Sequence, residues 1–256
     1  MRPAPKQKFR PVAWAESGGL VPFETALSIM EDHVRLVVDG APELVWLLEH
    51  PPLYTAGTSA KARDLLEPGR FPVHLTGRGG EFTYHGPGQR IVYVMLDVRR
   101  RFGNDVRAFV CALEHWLIGT LRTFGIEGAT RPNQIGIWVD RKTSTGIAPA
   151  KIAAIGLRVR HGVSFHGLSL NVSPNLDHYA GIVPCGIREF AVTSLAELGV
   201  ATNLKDVDIS LKAAFGTIFG PCEEGDDPLA AHEAIAHLDD RTRHAAKTAT
   251  PGSAES

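Results

Sequence analysis

Residues 151–172 read KIAAIGLRVRHGVSFHGLSLNV, two apolar runs separated by the short polar turn Arg160-His161-Gly162. Both runs contain the β-branched or aromatic residues that are typical of strands. A glycine at the turn allows the chain to reverse direction tightly. The stretch therefore predicts a β-hairpin.

Periodic apolar patterns lie on both sides of this hairpin. Apolar residues recur at the spacing of a helix in two long segments, and short apolar runs between turn residues predict strands. The predicted helices are residues 22–38, 105–124, 193–198 and 206–218, and the predicted strands are residues 43–49, 73–75, 90–96, 136–139, 152–159 and 163–172. Helices interspersed with strands that include a hairpin predict an α/β (α+β) fold with a mixed sheet.

The composition is that of an ordinary globular protein and excludes several classes. Lys and Arg number 27 against 28 Asp and Glu, for a formal net charge of -1, so no bulk charge attracts nucleic acid or acidic membranes. We find no secretory signal and no apolar run of about 18 residues that would span a membrane. Three cysteines without a CxxC pair predict neither a disulfide framework nor a zinc site. We expect a cytoplasmic protein without metal or cofactor.

Cys185 stands in the run Val183-Pro184-Cys185-Gly186-Ile187 and has two interpretations. Proline before it and glycine after it allow a sharp turn that exposes the thiol as a nucleophile beside backbone N–H groups. Alternatively, Cys185 is a small buried residue in a loop. Cys111, within an apolar helix, and Cys222, near the C-terminal tail, are weaker candidates.

Lys151 begins the apolar run of residues 151–156 and also has two interpretations. A lysine at the end of a strand is usually solvated. A lysine that points into a site could instead stabilise a thiolate and lower the pKa of a cysteine from about 8.5 towards neutrality. Sequence spacing cannot decide between them, because Lys151 and Cys185 must meet through the fold.

Residues 76–89, TGRGGEFTYHGPGQ, contain five glycines in fourteen positions. Such a backbone turns tightly or approaches a ligand closely, so the stretch could cradle a phosphate or an acyl chain. It matches neither GxGxxG nor a Walker loop. Arg78 and His85 are candidate ligand contacts, or else a surface guanidinium and a satisfied loop histidine.

Four motifs in one order resemble a known family. They are RGGEFTYHGPGQ at residues 78–89, KIAAIG at 151–156, HGLSLNV at 166–172 and PCG at 184–186. In order and spacing they resemble the lipoyl(octanoyl) transferases, over roughly residues 20–220. Four motifs in sequence are far more specific than any one of them.

This resemblance implies a fold like the catalytic domains of biotin and lipoate protein ligases. It also implies transfer of an octanoyl group from octanoyl-acyl carrier protein to a lysine of lipoyl-domain proteins, such as 2-oxo acid dehydrogenase subunits and the glycine cleavage H protein. No ATP is implied, since one thioester replaces another. We expect a monomer that binds neither nucleic acid nor membrane.

The resemblance also implies roles for particular residues. Cys185 would carry the acyl group and Lys151 would lower the pKa of its thiol. The substrate-contacting positions would be Arg78, Gly79, Gly80, Glu81, Phe82, Thr83, Tyr84, His85, Ala154, Ile155, Gly156, Gly167, Leu168 and Ser169, supported by His166 and Asn171. Because acyl carrier proteins are acidic, the arginines of residues 99–101 and 158–160 are candidates for the docking surface.

We expect residues 1–19 to form an N-terminal extension, 20–220 the catalytic domain and 221–256 a flexible tail. Residues 140–150 read as a longer connection than the family usually has, and Ala154 stands where some members carry serine.

Alternatives remain. They are an ATP-dependent lipoate or biotin ligase, an amidotransferase between carrier domains, an inert module that binds acyl chains or carrier proteins, and a Cys–His hydrolase that uses His85 or His166.

Overall fold

The computed structural model describes residues 9–143, 146–183 and 191–234 of the chain. The strands are β1 (Val12–Leu20), β2 (Leu44–Glu49), β3 (Leu53–Ala56), β4 (Val73–Leu75), β5 (Phe82–His85), β6 (Gln89–Met95), β7 (Ala129–Arg131), β8 (Gln134–Thr143), β9 (Gly146–Arg160), β10 (Val163–Asn171), β11 (Ala191–Val192) and β12 (Cys222–Glu224). The helices are α1 (Phe23–Val38), α2 (Val98–Phe102), α3 (Val106–Arg122) and α4 (Leu204–Phe219).

One large mixed sheet organises the fold. Its strands lie in the order β12-β1-β2-β6-β10-β9-β8-β7, and β11 also pairs with β9. The strand β1 is parallel to β2 and to β12, whereas β2, β6, β10, β9 and β8 pair in antiparallel fashion. The predicted α/β fold with a mixed sheet is confirmed, and so is the hairpin formed by β9 and β10.

Alternating residues of the central strands build two separate cores. Val92 and Val94 of β6 pack on the face covered by α3 and α4, whereas Ile91 and Tyr93 pack on the face covered by α1. This period of two is the geometry of a strand that is buried on both faces. Helices therefore cover the sheet on both sides, as a three-layer arrangement requires.

A second, three-stranded sheet in the order β4-β3-β5 lies beside the first turn of α1. The rings of Phe23 on α1 and His74 on β4 are 4.8 Å apart, and the rings of His50 and His85 are 6.0 Å apart. Aromatic residues such as Tyr54 and Tyr84 fill this sheet's own small core. The small sheet thus covers part of the large one and carries the glycine-rich stretch to it.

The sequence-based boundaries differ from the structure at both ends. Residues 12–19, expected in an extension, belong to β1, whose ladder pairs Ala13 with Leu44 of β2. Beyond residue 220, β12 pairs with β1. Both segments join the sheet because they complete its edge with backbone hydrogen bonds, which apolar periodicity does not reveal. The rest of the expected tail, residues 235–256, lies outside the described residues.

Two local predictions were wrong. Residues 193–198 do not form a helix; the N–H of Leu195 donates to Asn171 O at 3.0 Å and that of Ala196 to Val172 O at 2.9 Å. These two donors bind the end of β10 and the residue after it, so the one i→i−4 hydrogen bond of the segment, from Leu198 N–H to Ser194 O at 3.1 Å, closes a single turn and not a helix. Residues 140–150 do not form a long loop, because β8 and β9 stay paired out to Thr143 and Gly146.

None of the helices within residues 9–143, 146–183 and 191–234 combines the length and hydropathy that a membrane span requires.

Candidate active site

A cavity of about 460 Å³ lies where β9 continues beyond its pairing with β8. The ladder between β8 and β9 stops at the pair Ile137–Ala153. Past that point the N–H of Gly79, in the glycine-rich stretch, donates to Leu157 O of β9 at 2.9 Å. The wall takes residues from both faces of the sheet and from α1 and α3, and its size lies within the range of about 300–1,000 Å³ typical of small-molecule pockets.

Most residues expected to contact substrate line this cavity. They are Arg78, Gly79, Gly80, Glu81, Phe82, Thr83, His85, Ala154, Ile155, Gly156, Gly167, Leu168 and Ser169, together with His166 and Lys151. The glycine-rich stretch and the two strands of the β9–β10 hairpin, which are far from it in sequence, therefore share one wall. Their contact with substrate stays a prediction, since the wall is defined by geometry alone.

Tyr84 and Asn171 do not line the cavity. Tyr84 is buried in the core of the small sheet, where its hydroxyl lies 2.7 Å from Nδ1 of His178. The Tyr84 ring packs against the rings of Tyr54 and Phe71 in this core, at centroid distances of 6.2 and 5.7 Å. Tyr84 thus supports the sheet that carries the wall.

Lys151 is buried in the cavity wall and is only 8% exposed. Its amine donates to Ile135 O at 3.0 Å and lies 4.8 Å from the centre of the Trp138 ring. Trp138 is the residue opposite Lys151 in the ladder between β8 and β9. The structure thus excludes the solvated lysine and supports the interpretation in which Lys151 faces a site.

Cys185, with its neighbours Pro184 and Gly186, lies outside the described residues. The chain after it returns to Lys151: in β11, Val192 pairs with Lys151, and the N–H of Thr193 donates to Lys151 O at 2.9 Å. Cys111 is exposed on α3, and burial raises the pKa of the Cys222 thiol in β12.

Arg78 holds the glycine-rich stretch in place and is 8% exposed. Its guanidinium donates to Thr55 O at 2.9 Å, to Thr55 Oγ1 at 2.7 Å and to Glu81 O at 2.9 Å. It also donates to Gly79 O at 3.0 Å. Arg78 is therefore not a surface guanidinium; it binds the backbone of the cavity wall.

Gly156 leaves room for this arginine. A Cβ at Gly156 would lie 2.9 Å from Cδ of Arg78 and 3.4 Å from Gly79 O. Since a Cβ approaches other atoms so closely only when something shifts, the glycine lets the stretch pack directly on β9.

A chain of buried hydrogen bonds connects the cavity to the end of β10. The Nδ1–H of His85 donates to Gln89 Oε1 at 2.6 Å, and Gln89 Nε2 donates to Asn171 Oδ1 at 2.8 Å. Asn171 Nδ2 then donates to Thr193 O at 2.9 Å, on the residue whose N–H binds Lys151 O. Asn171 thus connects the glycine-rich stretch to β9 at Lys151. This position agrees with the supporting role expected for Asn171.

Three histidines near the cavity are neutral at pH 7, because burial is the largest influence on each. It lowers the pKa of His50 to about 4 and those of His85 and His166 to about 3. His50 binds Val21 O through Nδ1–H at 2.6 Å and accepts from the Tyr93 hydroxyl at 2.6 Å. The neutral rings add no charge of their own to this part of the cavity.

Sequence reasoning missed part of the wall, which includes Phe23, Thr55, Ile91, Tyr93, Val106, Val110, Gln134 and Ile135. Most are apolar residues of predicted helices or strands, and periodicity marks such residues as core. Nothing in their spacing distinguishes a residue that borders a cavity from one in a filled core. Gln89, the centre of the hydrogen-bond chain, stands in the glycine-rich motif and could have been singled out as a polar residue opening an apolar strand.

Two oxygen atoms in the cavity wall have unmet hydrogen-bond capacity. Glu81 Oε2 and Gln134 Oε1 are buried without a hydrogen-bond partner in the described part of the chain. A buried acceptor without a donor costs about 1–3 kcal/mol, so a ligand that brings N–H or O–H donors would relieve it. The cavity therefore combines apolar walls, a buried amine and two acceptors.

Comparison with known proteins gives consistent matches. The sequence profile of the family described as lipoyl protein ligase A/B catalytic domain matches residues 22–216. An octanoyltransferase of Rhizobium johnstonii is 57% identical over 84% of this chain and 92% of its own length. One of Caulobacter vibrioides is 55% identical over 86% of this chain and 97% of its own length.

Solved structures show the same fold at low identity. The crystal structure of a lipoate-protein ligase A bound with ATP superposes with a TM-score of 0.67 at 15% identity, covering 87% of this chain and 92% of the other. A bipartite lipoate protein ligase from Thermoplasma acidophilum gives 0.65 at 14% identity, covering 87% and 91%. These matches confirm the expected ligase-like catalytic fold.

Proposed function

The chain belongs to the octanoyltransferase family and is an acyltransferase, and we propose that it moves an octanoyl group from an acyl carrier protein to a lysine of a lipoyl domain. The observation that carries the proposal is Lys151, a buried amine in the wall of a largely apolar cavity. Such an amine can assist a thiol nucleophile, and the cavity offers space for the acyl chain.

In the first half-reaction, Cys185 is the nucleophile. Its proton passes to Lys151, and the thiolate attacks the carbonyl carbon of the donor thioester. A bond forms between that carbon and Sγ of Cys185, the donor's carbon–sulfur bond breaks, and Lys151 returns the proton to the departing thiol. The pairing of Val192 in β11 with Lys151, seven residues after Cys185, supports an approach of the two side chains. No ATP is needed, because one thioester replaces another.

The acyl chain occupies the apolar part of the cavity. Phe23, Ile91 and Val110 supply side chains there, and the neutral histidines add no charge. Burial of a methylene contributes about 0.8 kcal/mol, so the six methylenes of an octanoyl group would contribute about 5 kcal/mol. A cavity of this kind can therefore select the acyl group by its length.

In the second half-reaction, the amine of the acceptor lysine attacks the acyl-enzyme. A carbon–nitrogen bond forms, the bond to Sγ of Cys185 breaks, and Lys151 removes the proton that the nitrogen loses. Glu81 Oε2 or Gln134 Oε1 would accept a hydrogen bond from the one N–H that the nitrogen keeps. Formation of an amide from a thioester makes this step favourable.

Intact-protein mass spectrometry tests the proposal. Wild-type protein incubated with octanoyl-carrier protein should gain one octanoyl group, and peptide mapping should place it on Cys185. Cys185→Ser should gain none, whereas Cys111→Ser, at the exposed cysteine on α3, should behave as wild type. An adduct that persists in Cys185→Ser, or that maps to Cys111, contradicts the assignment. Acceptor labelling that requires ATP and free octanoate would instead show a ligase.

A further inference from the structure

Two arginine-bearing segments that are 60 residues apart in sequence lie side by side at the surface. The N–H of Arg99, at the start of α2, donates to Gly162 O in the turn between β9 and β10 at 3.1 Å. A Cβ at Gly162 would lie 2.9 Å from Cβ of Arg99. The turn therefore packs directly on α2, and its exposed Arg160 joins the exposed Arg99 and Arg100.

We call Arg99, Arg100, Arg158 and Arg160 the basic rim. Asp97 is its counter-charge, 3.7 Å from Arg99 and 3.8 Å from Arg100, and it is only 6% exposed. Arg158 and Arg160 have no ion pair within the described residues. Four arginines against one buried carboxylate leave a positive surface on a protein whose formal net charge is -1.

Arg101 is not part of this surface. Its side chain is 3% exposed, and its guanidinium binds the buried carboxylate of Glu43 and the carbonyl oxygen of Phe219. It therefore anchors α2 to the fold, and of the run 99–101 only the first two arginines face solvent.

Arg158 places the positive charge of the rim beside the glycine-rich stretch that lines the cavity. Its guanidinium occupies the space that a side chain at Gly77 would need, and it lies 5.5 Å from the centre of the Phe165 ring. Gly77 precedes the cavity-lining stretch, and Leu157, beside Arg158, also lines the cavity. The charge of Arg158 contributes, after burial and Arg78, to lowering the pKa of His166 inside the cavity.

We propose that the basic rim docks the acidic, phosphopantetheine-bearing carrier that delivers the acyl group, with Arg158 binding the phosphodiester of its arm. This inference rests on the proposed function and names the surface that the donor uses. Guanidinium groups suit phosphate oxygens because they donate two parallel hydrogen bonds. The acceptor fits this rim less well, because the arginines of the rim repel a lysine that arrives protonated.

Three octanoyl thioesters separate the parts of this proposal. Octanoyl-pantetheine carries neither phosphate nor protein, octanoyl-4′-phosphopantetheine adds the phosphate, and the octanoyl-carrier protein adds the acidic surface. Arg158→Gln should lower kcat/KM about tenfold for both phosphate-bearing donors relative to octanoyl-pantetheine. The double variant Arg99→Glu with Arg160→Glu should lower kcat/KM at least about tenfold for the carrier alone. This decrease should be smaller at high salt, which screens the charges.

Arg122→Glu, at an arginine 63% exposed in the last turn of α3, is the matched control for charge reversal and should keep the wild-type preference among donors. The docking proposal is overturned if the rim variants lower kcat/KM equally for all three donors. It is also overturned if both rim variants keep the wild-type ratio of kcat/KM between the carrier and octanoyl-pantetheine. If the rim variants instead raise the KM for the lipoyl-domain acceptor, the rim binds the acceptor and the docking proposal is overturned as well. Failure of wild-type protein to accept any donor would refute the proposed function, a distinct outcome.

Discussion

The amine of Lys151 donates a hydrogen bond to the carbonyl oxygen of Ile135 at a distance of 3.0 Å. Lys151 belongs to β9 and Ile135 to β8, so the hydrogen bond crosses between two strands of the large sheet. A backbone acceptor cannot swing away as a side chain can. The amine is therefore held in the cavity wall before any substrate binds.

Replacement of Lys151 by alanine should slow acyl transfer by a factor of about 10²–10⁴, the contribution typical of a positioned proton-transfer group. In the proposed mechanism the amine stabilises the Cys185 thiolate, so its loss should also make Cys185 react more slowly with iodoacetamide at pH 7. Lys142→Ala, at an exposed lysine on β8, is the matched control. An unchanged dependence of the alkylation rate on pH would argue against the pairing of Lys151 with Cys185.

Arg78→Lys should destabilise the protein by about 2 kcal/mol even though the charge is kept. A lysine ammonium is compact and cannot reach Thr55, Gly79 and Glu81 at once, so buried carbonyl oxygens lose their donor. Urea unfolding measures the loss, and hydrogen exchange should become faster in residues 76–82. Arg63→Lys, at an exposed arginine, is the control and should change neither the free energy of unfolding nor the hydrogen exchange of residues 76–82. Wild-type exchange in Arg78→Lys would show that the arginine does not hold this stretch.

Stability should fall as the pH drops below about 6.5, because His50, His85 and His166 are neutral in the folded protein. Their folded pKa values, about 4, 3 and 3, lie below the value of 6.5 for an exposed histidine. The unfolded chain therefore binds protons that the folded chain does not. Each histidine then lowers the free energy of unfolding by about 1.4 kcal/mol for every pH unit between pH 6.5 and its folded pKa.

Urea unfolding at several pH values between 7 and 4.5 measures the slope of the free energy of unfolding against pH. His50→Gln should reduce it by the share of one histidine, whereas His115→Gln, at an exposed histidine on α3, should keep it. A slope that is the same in His50→Gln and wild type would mean that His50 is protonated in the folded state.

Much of the secondary structure followed from local pattern. The helices at residues 22–38 and 105–124 and the hairpin of β9 and β10 form where apolar spacing predicts them, because each buries a continuous apolar face. The prediction failed at residues 193–198, where local residues suit a helix. There the N–H groups of Leu195 and Ala196 bind β10 and the residue after it, and the local sequence does not indicate these distant acceptors.

The amino-acid sequence by itself determined the fold class, the family and the set of segments that carry polar or glycine-rich motifs, because these depend on residue type, order and spacing. Tertiary structure alone decided that Lys151 is buried against Ile135 and Trp138, that Arg78 binds backbone, and that Tyr84 faces away from the cavity. The physical reason is that a side chain's burial and partners are set by which strands become neighbours. Strand neighbours are chosen by the packing of the whole sheet, across separations that no local pattern records.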